Sequence, residues 1–338
     1  MTRVVIHPSV EIDWCSYFVE GLIRLYGYKS IRYRTDGFPD IEDRTHMAES
    51  GYMHFRIEGG GRPLRVVIDP MDTSEFLEPS LEWCDIYGKV NLDPQNLPRR
   101  HADKVVSCAP HFPVRNFRLP LMAVDALRTY RRGLRSPLGH FKKHIYRPFK
   151  YHRPLASWVP GEPQRGYVFM NSSLWKTNRD TNDLRAMFMD ACQSLPNVRF
   201  EGGFLGRPDV ADYKHLRSQR RFGVEKYRKK VGASLVVFTN PSVLGAHSFR
   251  LGEYLALGKA ILTPRLTRVV VRPLVHGEHV HFIEPNYDSI HAGIEHVVTD
   301  EAYRRKLERG ARSYFDTVCN PTTLMRDLIQ RSSLYQYE

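Results

Sequence analysis

The segment Ser234–Leu262, SLVVFTNPSVLGAHSFRLGEYLALGKAIL, decides the fold class. Its apolar run ends at Thr239 and suits one buried strand. Pro241 and Gly245 punctuate the loop that follows. A helix then opens at His247 or Ser248, carries Leu251, Tyr254 and Leu255 on one face, and closes at Gly258 before a second strand, Lys259–Leu262. Strand, loop, helix and strand in so short a span make a βαβ unit and imply a parallel sheet.

The same alternation extends outward. Gly166–Met170 and Val198–Glu201 read as strands, Thr181–Cys192 as a helix capped by Thr181 or Asp180, and Gly223–Val231 as a basic helix. Beyond the decisive unit come a strand at Val280–Ile283, helices over Tyr287–Val298 and Glu301–Phe315, and a last helix opened by Pro321. In the first half, strands are expected at Thr2–His7, Ile31–Arg34, Tyr52–Glu58, Leu64–Ile68, Cys84–Val90 and Val105-Val106, with helices opening at Asp13 and Glu75. Between the halves lies Pro-rich text running from Pro110 to Pro163, which places a boundary near Pro160–Gln164. A length of 338 residues gives two domains at roughly 150 residues each. We therefore expect an α/β amino-terminal domain over 1–160 and an α/β carboxyl-terminal domain over 161–338, with a terminal helix able to cross back to the first.

Composition narrows the function classes. Hydrophobic residues make up 42% of the chain and charged residues 26%, which excludes wholesale disorder. No apolar run approaches the roughly 20 residues of a membrane span, and the first residues lack a signal-peptide pattern. The five cysteines are scattered and odd in number, so a reducing, cytoplasmic setting is expected rather than a disulfide framework. Fifty Lys and Arg against 37 Asp and Glu leave a net charge of +13, which calls for an anionic partner. That charge is concentrated. The stretch 126–161 contains no acid, yet holds Arg128, Arg131, Arg132, Arg135, Lys142, Lys143, Arg147, Lys150 and Arg153, and a second basic cluster spans Lys214–Lys230.

In open parallel sheets, ligands bind beyond the carboxyl ends of the strands. The loop and helix start after Thr239 therefore form the leading candidate, with Gly245, Ala246, His247, Ser248 and Phe249 supplying backbone donors at a helix N-terminus. Arg250 in the first turn opposes the macrodipole unless it meets an anion, and its forked donors suit phosphate oxygens. Glu253, one turn on, can accept two hydrogen bonds from a vicinal diol such as a ribose. The plainer reading is an i,i+3 Arg250–Glu253 pair on a solvated face.

The string SFRLGEYLALGKAIL at 248–262 resembles the donor-site helix of nucleotide-sugar glycosyltransferases of the GT-B architecture, with two Rossmann-like domains whose parallel sheets face an interdomain cleft. The resemblance extends to GYVFMNSSLWKTNRD, RRFGVEKYRKKVGASLVVFTN, LVHGEHVHFIEPN and YRRKLERGARSYFDTVCNPTTLM, and more loosely to VVIDPMD, CDIYGKVNLD and APHFPVRN in the first half. It implies diphosphate binding by Arg250, ribose binding by Glu253, and sugar transfer to an acceptor hydroxyl in polysaccharide, lipopolysaccharide or other glycoconjugate synthesis. Many retaining relatives carry a second glutamate eight residues earlier. Here that position is Gly245, which leaves inverting and retaining chemistry open.

Other residues have weaker claims. In the loop after Met170, Asn171, Ser172, Lys176 and Arg179 can reach a diphosphate, or the loop is simply solvated with Trp175 turned inward. Asp13, Asp69 and Asp72 are candidate catalytic bases, or caps and turn acids. His276, His279 and His281 do not have the spacing of a helical metal motif, and no Asp-x-Asp triplet occurs, so neither metal nor cofactor is expected. The cations of 126–161 interleave with Tyr130, Phe141, Tyr146, Phe149, Tyr151 and Trp158. That pattern suits an anionic membrane surface, nucleic acid, or a solvated connection. No nucleic-acid-binding signature accompanies it, so nucleic acid is not the expected partner. The expectation is a metal-independent glycosyltransferase with a saccharide or glycolipid acceptor, cytoplasmic and peripheral on the inner membrane face. The alternatives are a nucleotide-sugar epimerase of the same fold and a non-catalytic nucleic-acid-binding protein.

Overall fold

The computed structural model describes residues 2–39, 51–59, 61–117, 119–130, 139, 141–207, 209–218 and 220–330. The chain divides into two compact units. The first holds the residues up to Ser157, Arg268–Arg272 and Val318 onward, and the second holds Trp158–Thr267 and Pro273–Thr317. The contiguous split at residue 160 read from the sequence is thus interrupted twice, by a short crossing and by the last helix.

The first unit is built on a six-stranded sheet, β1 (Arg3–Ile6), β2 (Ile31–Tyr33), β3 (Met53–Glu58), β4 (Leu64–Asp69), β5 (Ile86–Lys89) and β6 (Val105–Ser107), in the order β2-β1-β3-β4-β5-β6. It is mixed: β3 runs antiparallel to both β1 and β4, and the other pairs are parallel. The turn after Glu58 is too short for the crossover a parallel pair needs, which fixes that reversal. Val66, Val67 and Ile68 of β4 are fully buried, as expected for a strand covered on both faces.

Helix α1 (Ile12–Tyr26) buries Cys15, Tyr17, Phe18, Val19 and Leu22. Short helix α2 (Glu78–Trp83) follows β4. The proline-rich stretch read as a connection contains helix α3 (Leu119–Tyr130), a π-helical turn (Lys142–Tyr146) and helix α4 (Arg147–Tyr151). Arg131, Arg132 and Arg135 lie outside the described residues.

In the second unit, β7 (Tyr167–Ser173), β8 (Arg199–Leu205) and β9 (Arg217–Ser218) form one parallel ladder, and β10 (Val236–Phe238), β11 (Ala260–Thr263) and β12 (His281–Phe282) form another. Two bonds stitch them edge to edge: Leu235 N–H donates to the Tyr167 carbonyl at 2.8 Å, and Phe169 N–H to Ser234 Oγ at 2.9 Å. The strand order is therefore β9-β8-β7-β10-β11-β12, the doubly wound arrangement in which the chain leaves β7 and β10 in opposite directions and opens a crevice at their carboxyl ends. Helices α5 (Arg179–Ser194), α6 (Val224–Ala233), α7 (Phe249–Ala256), α8 (Tyr287–Thr299) and α9 (Glu301–Tyr314) complete this unit. Phe188 of α5 stacks on Phe238 of β10 at 4.9 Å within the core. Among the described residues, no helix is long and apolar enough to cross a membrane.

The last helix, α10 (Pro321–Gln330), returns to the first unit and packs on α1. Tyr17 donates to the Cys319 carbonyl at 2.6 Å. Two glycines make room: a Cβ on Gly21 would lie 2.3 Å from the Pro321 carbonyl oxygen, and one on Gly88 would lie 2.8 Å from Leu328 Cδ1. The obstacle at Gly21 is backbone, which cannot rotate away. Gly21→Ala should therefore destabilise the protein by about 1–3 kcal/mol, despite the better helix propensity of alanine, with urea unfolding as the measurement.

Candidate functional site

The crevice between the carboxyl ends of β7 and β10 is spanned by one side chain. Arg185, on the inner face of α5, is buried at 4% exposure. It donates to Ser172 Oγ and the Ser173 carbonyl at the end of β7, at 3.1 and 3.3 Å, and to Asn240 Oδ1 just past β10, at 3.1 Å. None of these partners is a carboxylate. Burial, and then the nearby positive charge of Arg250, pulls its pKa down to about 9, so it remains a cation at neutral pH. Sequence reading passed over Arg185. Its signal is a cation on the apolar stripe of an amphipathic helix, one turn before Phe188 and Met189.

Helix α7 brings up the second cation. Ser248 is its N-cap and accepts from Arg250 N–H at 3.3 Å. Its other end closes in a Schellman motif, with Gly258 at φ +57°, Gly258 N–H donating to Leu255 and Lys259 N–H to Tyr254. Leu251, Tyr254 and Leu255 face inward, which leaves Arg250 and Glu253 partly buried at the margin. The Arg250 guanidinium donates to the Asn171 carbonyl at 2.8 Å and is hydrogen-bonded to Tyr227, which in turn bonds Tyr254. Burial works against the Arg250 charge. Tyr254, Tyr227 and Glu253 more than offset it, so the group titrates above its ordinary value.

The Arg250–Glu253 surface pair of the plainer reading does not form. Among the described residues, the Glu253 carboxylate takes no hydrogen bond and no ion pair. Burial raises its pKa to about 7, against the opposing pull of Arg250. An open acceptor thus stands beside two cations that lack a carboxylate of their own.

The remaining sequence candidates fall into two groups. Asn171, Ser172 and Thr239 lie buried at the ends of β7 and β10. Asn171 Nδ2 donates to the Arg220 carbonyl at 3.0 Å, while its Oδ1 is buried without a partner. Gly245 adopts φ +77° and accepts from Thr267 Oγ1 at 2.6 Å, and Ala246, His247 and Phe249 complete the loop into α7. Lys176 and Arg179, in contrast, are exposed, and Arg179 pairs with Asp183 on its own helix at 3.7 Å. Along the same sheet edge, past β8 and β9, a cavity of about 630 Å³ is lined by Arg207, Lys214, Arg217 and Arg221. His276, His279 and His281 each spend Nδ1 on a local bond, to Phe282 N–H, Val275 N–H and the Tyr303 hydroxyl respectively.

In the first unit the three candidate carboxylates differ sharply. Asp69 and Lys89 are both fully buried and paired at 2.7 Å, with Tyr87 donating to the same oxygen at 2.7 Å. Asp13 is held by Arg147 at 2.6 Å and faces His152 at 3.2 Å. Asp72, just beyond β4, takes no hydrogen bond or ion pair from any described residue, and burial raises its pKa to about 6 against the pull of Lys89.

No family model matches the chain, and no curated protein matches it. Solved structures similar to it include the carboxyl-terminal domain of a glycosyl transferase group 1 family protein from Francisella tularensis, 13% identical over 48% of this chain and 88% of that one, with a TM-score of 0.35. A protein from Anabaena in complex with UDP-glucose is 11% identical over 76% of this chain and 65% of its own, with a TM-score of 0.39. A protein from Listeria monocytogenes described as a putative UDP-N-acetylglucosamine 2-epimerase is 12% identical over 94% of this chain and 70% of its own, with a TM-score of 0.37.

The raised pKa of Glu253 has a stability consequence. The folded state holds this proton up to about pH 7, whereas an unfolded glutamate releases it near 4.5. The contribution of the protonated carboxyl is fully present below the lower value and is lost as pH rises through the upper one. Glu253→Gln should therefore gain stability relative to the parent between pH 5 and pH 8, by about 1–3 kcal/mol, read from melting curves at both pH values.

Proposed function

We propose that this chain is a glycosyltransferase that moves a sugar from a nucleotide-sugar donor to an acceptor hydroxyl. One observation carries the reading: an unpaired carboxylate, Glu253, stands one turn from Arg250 at the switch point of a doubly wound sheet, where Arg185 is a second cation without a counter-ion. A nucleoside diphosphate supplies what each lacks. Its ribose diol donates to Glu253, and its phosphate oxygens meet the positive field of Arg250 and Arg185.

The chemistry follows from charge. As the glycosidic bond breaks, the diphosphate gains negative charge, and fixed cations stabilise that state more than the ground state. Arg250 acts directly. Arg185, enclosed by Ser172, Ser173 and Asn240, acts by holding the strand ends and by its field. With cations in this role, no divalent metal is needed. The acceptor hydroxyl must lose a proton. Of Asp13, Asp69 and Asp72, only Asp72 is both unpaired and near pKa 6, and it has the chemistry of a general base. The acceptor class we favour is a saccharide or glycolipid of a cell-surface polysaccharide or related glycoconjugate, with the protein peripheral to a membrane.

Binding and turnover test this reading separately. Nucleoside diphosphates should raise the melting temperature, by the equivalent of roughly 2.7 kcal/mol at a hundred times Kd. Glu253→Ala should weaken that binding by about 1.5–3 kcal/mol. Arg250→Ala should lower kcat about a hundredfold or more with a smaller change in KM, and Arg250→Lys should restore only part. A folded Arg250→Ala variant with normal kcat, or sugar epimerised with no acceptor present, would overturn the proposal. Turnover should also survive a chelator, and its loss with recovery on adding Mn²⁺ would remove the metal-free mechanism.

A further inference from the structure

Helix α3 buries Asp125 and Thr129 beside Met122 and Ala126, and exposes Leu121, Val124 and Leu127 at 44%, 45% and 50%. Asp125 accepts from the Tyr33 hydroxyl at 3.0 Å, and Thr129 donates back to the helix carbonyls of Asp125 and Ala126. One Asp125 oxygen and the Thr129 hydroxyl are thus bonded inside, Asp125 Oδ1 is buried without a partner, and the stripe at spacing of three is left to solvent. The π-helical turn packs beside α3 and, with α4, over α1, and residues 141–151 expose Phe141, Phe149 and Tyr151 at 50–51%. Of twelve large apolar side chains exposed among the described residues, eight lie between Leu121 and Tyr151. A surface helix ordinarily turns such a stripe inward, and apolar exposure this concentrated marks a contact surface.

The charge around the patch selects the contact. From 126 to 161 there is no acidic residue. Lys143 and Arg147 are neutralised by Glu11 and Asp13. Lys142 and Lys150 are exposed, and Lys150 lies over the rings of Tyr146 and Tyr151, at 5.1 and 5.2 Å. Arg115 lies over Phe149 at 5.8 Å, and Arg128 over Tyr28 at 5.0 Å. A second copy of this chain would bring the same cations face to face. Nucleic acid would meet the cations but give Leu121, Val124 and Leu127 nothing to enter. An anionic bilayer satisfies both, since aliphatic side chains enter the acyl boundary while tyrosines and lysines sit among the headgroups.

We propose that the exposed faces of α3 and of residues 141–151 form a docking surface for an anionic lipid bilayer. The inference gives a surface to the membrane association proposed above; it stands on exposure and charge in the first unit and does not depend on glycosyl transfer itself. The test is flotation of the full chain with vesicles of phosphatidylcholine alone and of phosphatidylcholine mixed with phosphatidylglycerol, at low and high ionic strength. The parent should float with the mixed vesicles at low salt and be released by salt, because screening shortens the attraction to about 8 Å at physiological strength. Combining Leu121→Ser, Val124→Ser and Leu127→Ser should lower the partition at least tenfold. These side chains are about half exposed, so the variant should stay folded with a modestly lower melting temperature, and any further rise caused by nucleoside diphosphates should stay unchanged. That last readout separates failure of this proposal from failure of the functional one. Equal partition by parent and triple variant, or no flotation at low salt, would overturn the proposal. So would a self-association that the triple substitution abolishes without any lipid binding, because it would assign the face to a second copy.

Discussion

A buried guanidinium without a carboxylate partner sets the character of the carboxyl edge in the second unit. The doubly wound order sends the chain away from β7 and β10 in opposite directions and opens a crevice at their carboxyl ends. Arg185 spans it, through Ser172 and Ser173 on one side and Asn240 on the other. Burying a charge costs several kcal/mol unless its donors are all engaged and an opposite charge is near. Here the donors have neutral acceptors, and the nearest strong charge is another cation, Arg250. Such an edge is short of negative charge by construction.

The local structure around α7 turns that deficit into a site with direction. The Ser248 cap fixes where the helix begins, and the Gly258 Schellman turn fixes where it ends. With both ends set and Leu251, Tyr254 and Leu255 committed to the core, Arg250 and Glu253 fall at the partly buried margin of the helix. Arg250 is drawn toward Asn171 and Tyr227 and away from Glu253. The carboxylate is left desolvated and unpaired, which is why its pKa climbs toward neutrality. Cation and acceptor are thus held apart on one helix face, as a ligand with an anionic end and a hydroxylated end would require.

The sequence carried the strand–loop–helix unit at 234–262 almost in full, because a buried strand, a capped helix and a C-terminal glycine each leave a local signature. It carried Arg250, Glu253, Asn171 and Ser172 as neighbours of strand ends for the same reason. Arg185 was not legible. A cation on an apolar stripe is ambiguous until the strand ends that accept its hydrogen bonds are in place. For Asp69 a catalytic base and a cap or turn acid both stay open in the sequence, since nothing near it predicts Lys89, twenty residues on, as a fully buried partner. Lys176 and Arg179 illustrate the converse: two cations in a loop at a strand end, yet turned to solvent or to Asp183. The antiparallel placement of β3 was missed because strand periodicity is the same in either direction. The re-entry of the last helix depends on Gly21 and Gly88, whose role appears only when a backbone carbonyl and a leucine arrive beside them.

Helix α3 shows the limit of periodicity more directly. A period near 3.6 identifies an apolar face but does not say what covers it. In most helices the core does, and the sequence reading stops there. In α3 the core is reached instead by Met122, Asp125, Ala126 and Thr129, and the Tyr33 hydroxyl, on β2, donates to one oxygen of the acid while the other is buried without a partner. The helix thus sits with Leu121, Val124 and Leu127 outward. The charge pattern argues the same way. Where Glu11 and Asp13 reach the basic stretch they neutralise Lys143 and Arg147, and beyond them Lys150 lies over the rings of Tyr146 and Tyr151 at the rim of the apolar face. The net charge of +13 is therefore unevenly available. Part of it is spent on internal pairs. Some of the rest lies beside exposed hydrocarbon in one unit and some beside the Glu253 acceptor in the other, and it is the neighbouring groups that determine which kind of anion each surface can hold.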